Sequence, residues 1–324
     1  MYLEARIVVC ESLLGDLTFR IFEGMGCGAL VLTKRIGNGL TAPFTPGIHL
    51  EGGSRGLTFA GRRVSDTLVP TQEPIEDIAA AWRGARMPVV LTGAGLSTAS
   101  GIPDFRSPGG RWSSYRPVTI AEFLASEDAR AAYWRYKGET WQVICRAEPN
   151  AAHRALAALA RADRIALLVT QNVDGLHERS GVPRDRLITI HGTDAEVECL
   201  SCGRREPRAV AQAAWESGTA VPRCDCGGPW KPATISFGQA LVPGDLQRAF
   251  AAARAADLLV VAGSSLAVGP INEMVPLAHR AGARIAILTA SETPYDGLAT
   301  WKVSARVEVV LPAIRARVLA APAR

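Results

Sequence analysis

The sequence predicts an α/β fold, a doubly wound parallel sheet of the Rossmann-like kind with a helical insertion and a small module stapled through cysteines. Short apolar runs alternate with helical segments from residue 73 onward, which is typical of parallel sheets with helices on both faces. The first apolar run leads into a glycine-rich turn at residues 92–95, as in open α/β sheets that bind a ligand at their strand ends. Four of the seven cysteines lie between residues 199 and 226, so they form one local cluster.

The predicted elements begin after a boundary at Pro70 to Pro74. Residues 73–83 form the first helix, because Ile75, Ile78 and Trp82 recur on one face. Apolar runs predict strands at 88–92, 164–170, 186–190, 257–262 and 283–289. Helices are predicted at 149–161, where a proline suits the first turn, and at 245–256 and 270–281.

Two segments interrupt this alternation and define the predicted domain organisation. Residues 107–147 are rich in Trp and Tyr and predict the helical insertion, whereas residues 195–235 carry the clustered cysteines and predict the small module. Residues 1–70 differ from the rest in their many glycine-rich turns. We therefore assign residues 1–70 to an N-terminal extension and residues 71–324 to the main domain.

Composition favours a well-packed globular protein and excludes several classes of function. Of the 324 residues, 48% are hydrophobic and 21% are charged, and no apolar run reaches the length of a membrane span. The net charge of +5 is too mild for a nucleic-acid-binding signature, so we expect no direct nucleic-acid binding and no membrane association. The N-terminus lacks a basic start followed by an apolar core, so we expect no signal peptide and a cytoplasmic protein.

The most informative stretch is residues 92–106, Thr-Gly-Ala-Gly-Leu-Ser-Thr-Ala-Ser-Gly-Ile-Pro-Asp-Phe-Arg. Its first two glycines allow a tight turn and a close backbone approach to a ligand. A strand that leads into such a turn and a helix N-terminus is how an open α/β sheet holds the diphosphate of a dinucleotide. Gly-x-Gly alone is a weak signal, but Asp104, Phe105 and Arg106 form a charged and aromatic set that a purely structural turn does not need.

A second motif, Thr-Gln-Asn-Val-Asp-Gly-Leu-His, occupies residues 170–177 at the end of the next apolar strand. In a parallel sheet this end of the strand faces the ligand crevice. Gln171, Asn172 and Asp174 at such an edge are unfavourable unless they bind something. The alternative is an Asx turn with a helix cap, since Asn and Asp suit both.

Two more strand ends carry polar residues. His191 follows the predicted strand 186–190 and precedes a glycine; an imidazole titrates near neutral pH, which suits a general base. Gly263, Ser264 and Ser265 follow the predicted strand 257–262, and their small hydrogen-bonding groups suit a ribose or a phosphate. We expect all these strand ends to converge on one crevice.

The cysteine cluster has the spacing of a structural zinc site. Cys199-x-x-Cys202 and Cys224-x-Cys226 are close pairs separated by 21 residues, and they can offer four thiolates to one tetrahedral ion. The second pair is one residue shorter than the usual Cys-x-x-Cys, and the alternative is four reduced cysteines without a metal. Since sulfur would fill all four positions, we expect one structural zinc ion and a zinc-stapled module at residues 195–235.

Together these motifs resemble, in order and spacing, the signatures of the sirtuin family of NAD-dependent protein lysine deacylases. The resemblance covers about residues 73–313 and is carried by 93–107, 170–177, His191-Gly192, the paired cysteines, Lys231-Pro232 with Phe237-Gly238, 263–266 and Thr293-Pro294. It implies an enzyme that transfers the acyl group of an acyl-lysine protein or peptide to ADP-ribose, with NAD as co-substrate, and releases nicotinamide and O-acetyl-ADP-ribose. An NAD hydrolase or ADP-ribosyltransferase on the same scaffold, and a non-catalytic NAD-binding regulatory module, are the alternatives.

The resemblance also implies roles by position. His191 would be the general base, Asn172 would position the ribose and a water, and Asp174 would hold the nicotinamide carboxamide. An extended acyl-lysine peptide would pair as an added strand between Phe237-Gly238 and the segment from Leu266 to Val268. The remaining contacts to NAD would come from Gly93, Ala94, Gly95, Ser97, Asp104, Phe105, Arg106, Gln171, Gly263, Ser264 and Ser265.

Two departures from the family pattern bear on ligand choice. The family often has Asn at the position of Thr289, where it contacts the adenosine ribose. The Tyr-x-x-Arg pair that selects acidic acyl groups is absent from residues 131–141, where Glu139 stands three residues after Tyr136. We therefore expect acetyl or another neutral acyl group.

The first seventy residues are not explained by the sirtuin resemblance. Residues 20–29, with Glu23 at the position that binds a nucleotide sugar, and residues 37–40 and 46–49 resemble the donor-sugar segment of two-domain glycosyltransferases. Only about fifty residues match, which is too few for that enzyme. We interpret the segment as a vestigial or fused fragment, or as the result of a misplaced start site.

Overall fold

The computed structural model describes residues 7–10, 30–33, 72–105, 110–111 and 115–320. The chain divides into two compact units. Among the described residues, the first unit contains two short parallel strands, β1 (Ile7–Cys10) and β2 (Leu30–Thr33). The glycosyltransferase-like motifs at residues 20–29, 37–40 and 46–49 lie outside the described residues, so their interpretation stays a prediction.

The second unit contains the alternating strands and helices that the sequence predicts. Its strands are β3 (Pro88–Thr92), β4 (Leu167–Thr170), β5 (Leu187–Thr189), β6 (Gly192–Cys199), β7 (Arg205–Pro207), β8 (Trp230–Thr234), β9 (Leu258–Ala262), β10 (Arg284–Leu288) and β11 (Trp301–Val303). Its helices are α1 (Gln72–Gly84), α2 (Ile120–Ala125), α3 (Glu127–Arg146), α4 (Ala151–Arg161), α5 (Leu176–Arg179), α6 (Arg208–Glu216), α7 (Pro243–Ala255), α8 (Met274–Arg280) and α9 (Val307–Leu319). Within the described residues, no helix is long and apolar enough to cross a membrane.

Six parallel strands form the main sheet, in the order β11-β10-β9-β3-β4-β5. The chain fills one half of the sheet with β3, β4 and β5, then returns to the other side of β3 and continues with β9, β10 and β11. The direction of winding therefore reverses between β3 and β9. Open α/β sheets bind their ligands outside the carboxyl ends of the strands at such a switch point.

Both faces of this sheet are covered, which confirms the doubly wound fold. Along each strand, successive side chains point to opposite faces. Val90 and Val260 belong to a core cluster that includes residues of α1, α4 and α9. Leu91 and Val261 belong to a second cluster with residues of α7 and α8. The strands are consequently apolar without alternation, as expected for a sheet buried on both sides.

The two interruptions of the alternating pattern lie next to each other in the fold. Helices α2 and α3 supply the helical insertion, and the antiparallel sheet β7-β6-β8 with α6 contains the cysteine cluster. The indole Nε1 of Trp134 in α3 donates to the carbonyl of Trp230 in β8 at 2.9 Å. Since β6 begins one residue after His191, this small sheet is joined directly to the predicted crevice.

Candidate active site

The crevice begins where the turns after β3 and β9 meet. The Gly95 amide donates to the Gly263 carbonyl at 2.8 Å, and the Gly93 amide donates to the Ala262 carbonyl at 3.1 Å. A Cβ on Gly95 would lie 2.9 Å from that Gly263 oxygen, so only glycine lets the two turns approach so closely. Gly263 itself has a φ of 64°, in the left-handed region that glycine adopts without strain. Ala94 opens the short 3-10 turn Ala94–Leu96, and such turns leave their first amides without internal acceptors.

The polar residues after β4 fold back onto the turn after β3. Asn172 Nδ2 donates to the Gly93 carbonyl and to Ser97 Oγ, both at 3.1 Å. Ser97 Oγ in turn donates to Asp174 Oδ2 at 2.7 Å. The other carboxylate oxygen of Asp174 accepts from the Leu176 amide at 3.0 Å, which is the Asx turn considered as an alternative. The same carboxylate therefore makes the structural turn and joins the polar group at the strand ends.

His191 follows β5 with one defined tautomer. Its Nδ1 lies 3.0 Å from the Gln171 carbonyl oxygen, and because a carbonyl can only accept, Nδ1 carries the proton. The lone pair is therefore on Nε2. Burial lowers the pKa of this half-buried imidazole below its usual 6.5, although the Gln171 carbonyl partly opposes the shift. The ring is consequently neutral near pH 7, as a general base must be.

Ser264 connects the end of β4 to the segment that follows β9. Its hydroxyl oxygen accepts from Gln171 Nε2 at 2.8 Å and from the Leu266 amide at 3.1 Å. Ser264 is buried, Ser265 is half-buried beside it, and Val268 is partly exposed farther along the chain. The predicted residues of the turn after β9 are thus tied to Gln171, whose carbonyl orients His191.

The other predicted site residues are exposed or partly exposed, or fall outside the described residues. Asp104 and Phe105 are partly exposed beyond the turn after β3. Phe237 is 46% exposed, and its carbonyl accepts from the amide of Ile120, the first residue of α2, at 3.0 Å. Gly238 follows with a φ of 79°. Arg106 lies outside the described residues, so its contact with NAD stays a prediction.

Asn150, which the site prediction did not include, also supports the turn after β3. It caps α4 through Oδ1, which accepts from the Ala152 amide at 2.9 Å. Its Nδ2 donates to the Leu96 carbonyl at 2.8 Å and to Ser100 Oγ at 3.0 Å. The sequence analysis placed Pro149 in the first turn of this helix, but the helix begins at Ala151 and Pro149 precedes its cap; nothing in the sequence indicated the second set of contacts.

Two buried histidines lie behind the crevice. The Nε2 atom of His177 lies 3.0 Å from Thr92 Oγ1 at the end of β3, and the His153 ring lies 5.1 Å from the His177 ring. Burial lowers the pKa of His153 to about 4 and that of His177 well below its usual value. Both rings are therefore neutral at physiological pH, and their contacts give them a structural role.

The four clustered cysteines fit a tetrahedral zinc site. Their Sγ atoms all lie within 4.8 Å of one another, with 3.4 Å between Cys199 and Cys226 and 3.8 Å between Cys202 and Cys224. A tetrahedron with Zn–S distances of about 2.3 Å has edges of about 3.8 Å. Burial raises the pKa of the Cys199 thiol, but the amides of Cys202 and Ser201 outweigh it and bring the pKa to about 7. The one-residue-shorter second pair therefore still brings four sulfurs to one point.

Comparison with known proteins identifies relatives for most of the second unit. The Sir2 family matches residues 93–270. The NAD-dependent protein deacetylase 1 of Bradyrhizobium diazoefficiens is 41% identical over 216 residues, which are 66% of this chain and 85% of that protein. The NAD-dependent protein deacetylase 2 of Streptomyces coelicolor is 39% identical over 236 residues, 71% of this chain and 97% of that protein.

Solved structures give the same result. A Sir2 complex with a p53 peptide and NAD+ matches with a TM-score of 0.68 and 33% identity, over 75% of this chain and 96% of that chain. A structure of Sir2 bound to an acetylated peptide matches with a TM-score of 0.67 and 32% identity over the same shares. Sequence and fold therefore agree on one family for this chain.

Proposed function

The chain belongs to the Sir2 family, and on that premise we propose that its crevice deacetylates protein lysines with NAD and that His191 is the general base. The observation that carries the proposal is the state of this imidazole. Its Nδ1 proton is held by the Gln171 carbonyl and its pKa is lowered by burial, so Nε2 keeps a free lone pair near neutral pH. A half-buried histidine in this state can take a proton from a sugar hydroxyl.

The residues at the strand ends fit NAD. The turn after β3 offers the Ala94 amide and small residues at the switch point of the sheet, where a diphosphate binds in related architectures. Ser97, Asn172 and Asp174 offer a hydroxyl, an amide and a carboxylate, respectively, in one hydrogen-bonded group. When bound, NAD would supply the ADP-ribosyl group that accepts the acetyl group as nicotinamide leaves, and with one water consumed this gives free lysine, nicotinamide and O-acetyl-ADP-ribose.

We assign the reacting roles to three residues. His191 accepts a proton at Nε2, Asn172 orients the ribose side of NAD and an attacking water, and Asp174 holds the nicotinamide carboxamide. The remaining predicted residues of the turns after β3 and β9 hold the rest of NAD. Zinc lies outside this chemistry, because four cysteine sulfurs leave no open position on the ion.

The residues proposed to flank a peptide favour a protein deacetylase over an NAD hydrolase, which would use water as the acceptor and need no peptide groove. Exposed Phe237 and the segment from Leu266 to Val268 offer two edges between which an extended acyl-lysine peptide can pair. The Tyr-x-x-Arg pair that selects acidic acyl groups is absent, and Glu139, three residues after Tyr136, accepts from the Tyr115 hydroxyl. We therefore propose a neutral acyl group. Cytoplasmic residence and the lack of direct nucleic-acid and membrane binding stay predictions.

The proposal is tested with purified protein, NAD and an acetyl-lysine peptide, by following nicotinamide and O-acetyl-ADP-ribose in a mass spectrometer. We expect peptide-dependent release of both products in equal amounts. His191→Ala should lower the rate by about 100-fold or more, whereas His279→Ala, an exposed histidine on α8, should leave it unchanged. Nicotinamide release without peptide would favour the NAD hydrolase, and no release from zinc-loaded protein would favour the non-catalytic module.

A further inference from the structure

The segment Leu266–Gly269, which we call the strap, begins with an unusual backbone conformation. Leu266 has a φ of 54°, in the left-handed region that residues other than glycine rarely adopt. Among the described residues, Asp163 is the other non-glycine residue in that region. Such a conformation persists only where the surrounding contacts determine it, and it is found most often at functional sites.

Three contacts hold Leu266 in place. Its side chain is 1% exposed and belongs to the core cluster with Ile271 and Met274. Its amide donates to Ser264 Oγ at 3.1 Å, and its carbonyl accepts from Asn272 Nδ2 at 3.1 Å. The residue is therefore fixed by its side chain and by both polar groups of its backbone.

Asn272 reaches the far end of the strap as well. It lies in the 3-10 turn Ile271–Glu273, just before α8. A Cβ on Gly269 would lie 3.4 Å from Asn272 Oδ1, so the carboxamide spans the strap, with its nitrogen toward Leu266 and its oxygen toward Gly269. One half-buried side chain thus sets both ends of a four-residue segment.

The middle of the strap is left available by this arrangement. Ala267 is exposed and Val268 is half-exposed. Within the part of the chain that the structure describes, their backbone amides and carbonyls make no protein hydrogen bond. A peptide that adds as an extended strand needs such free backbone amides and carbonyls on the segment it pairs with.

We propose that Asn272 is a positioning residue for the acyl-lysine peptide: by donating to the Leu266 carbonyl, it holds the strap so that Ala267 and Val268 present their backbone to the peptide. The inference rests on the deacetylase function proposed above. It concerns the peptide backbone and not the acyl group, because Asn272 contacts the strap and not the residues around His191. Ser264 extends the connection, since the same oxygen that accepts from Leu266 accepts from Gln171.

The test compares Asn272→Ala and Asn272→Asp with the parent protein. Asp keeps the shape of Asn but cannot donate to the Leu266 carbonyl when ionised. For an acetyl-lysine peptide, we expect both variants to raise KM about five- to tenfold, as for the loss of one hydrogen bond, with kcat and the KM for NAD within twofold of the parent. Glu273→Ala is the matched control, because Glu273 is adjacent and exposed but contacts Tyr295 instead of the strap.

A second substrate separates positioning from a general structural effect. Free acetyl-lysine lacks the flanking peptide bonds that would pair with Ala267 and Val268. The parent and Asn272→Ala should therefore have equal kcat/KM for acetyl-lysine alone and differ only with the peptide. Equal losses on both substrates, an unchanged KM for the peptide, or an equal rise in the KM for NAD would each overturn the inference. If the parent released no nicotinamide with peptide, the proposed function itself would fail instead.

Discussion

Asp194 is a fully buried carboxylate whose removal should destabilise the second unit strongly. Its Oδ2 lies 3.1 Å from Lys137 Nζ in α3, and its Oδ1 lies 3.2 Å from an Arg208 nitrogen in α6. The Arg208 guanidinium lies 4.7 Å from the centre of the Trp134 ring and also donates to Gln212 Oε1 at 2.9 Å. Burial lowers the pKa of Lys137, but attraction to Asp194 outweighs it and leaves the pKa raised. The buried Lys137 ammonium therefore stays charged because this carboxylate is present.

The expected size of the effect follows from burial. Removing one partner of a buried ion pair leaves an uncompensated charge and lowers the free energy of unfolding by about 3–5 kcal/mol. Asp194→Asn keeps the volume of the side chain and leaves Lys137 and Arg208 without their carboxylate partner, so we expect a loss in this range. For a domain of this size, that corresponds to a fall in Tm of about 6–20 °C. Glu198→Gln is the control, because Glu198 pairs with Arg205 on the surface and such pairs contribute about 1 kcal/mol or less.

Thermal and urea unfolding of the zinc-loaded protein, followed by circular dichroism, measures both variants. In the double variant Lys137→Met with Asp194→Asn, only Arg208 is left without its ion-pair partner, instead of both Lys137 and Arg208. The double variant's loss in free energy of unfolding should therefore be smaller than the sum of the losses of the two single variants, which a double-mutant cycle measures as a coupling between the two residues. A loss for Asp194→Asn no larger than for Glu198→Gln, or simple additivity in the cycle, would show that the carboxylate does not hold the cations.

Three further predictions concern the turn after β3, the zinc site and acid stability. Gly95→Ala should raise the KM for NAD at least tenfold, because a Cβ there meets a backbone oxygen at 2.9 Å, whereas Gly84→Ala meets nothing within 4 Å and should leave initial rates unchanged. Cys226→Ser should lower the bound zinc, measured by elemental analysis, and lower Tm; Cys145→Ser, outside the cluster, should change neither. His153 has a pKa of about 4 when folded and about 6.5 when unfolded. The neutral ring therefore stabilises the fold fully above pH 6.5. As the pH falls from 6.5 to 4, the free energy of unfolding, measured with urea, should fall by about 3 kcal/mol from this group. For His153→Gln, the free energy of unfolding should depend less steeply on pH.

The main sheet was predictable because its strands are short apolar runs that end in turn residues. Each of the five predicted strands is present within two or three residues of its expected ends. Strands β6, β7 and β8 and helices α5 and α6 were not predicted as elements, and neither were β11 and α9 at the C-terminal end of the unit. Strand β11 has only three residues. Helix α9 contains Pro312, and its apolar residues include exposed Val309 and Leu319 as well as buried Val310 and Ile314. Apolar residues on several faces give no clear helical period, so packing against α1 and α4 had to decide the structure there.

The site was predictable to the level of strand ends but not of hydrogen bonds. Glycine turns and polar clusters after apolar runs identified the edge of the sheet, and the fold brings those ends together. Which polar group contacts which could not be read from the sequence, because the partners are far apart along the chain. Asn172 and Gly93 are separated by 79 residues, and Asn150 and Leu96 by 54. A lone Asn in a turn is typical of a turn or a cap, so Asn272 gave no signal of its contact with Leu266.

Three asparagines share one arrangement around the crevice. Asn150, Asn172 and Asn272 each donate from Nδ2 to a loop carbonyl, of Leu96, Gly93 and Leu266 respectively, at 2.8–3.1 Å. Asn suits this position because the same short side chain also has an oxygen that can accept from a helix or a turn, as Asn150 does at the start of α4. A substitution by Asp keeps the accepting oxygen and removes the donor. Substitution by Asp therefore removes only the hydrogen bond to the loop carbonyl and keeps the oxygen that can cap a helix, whereas substitution by Ala removes both.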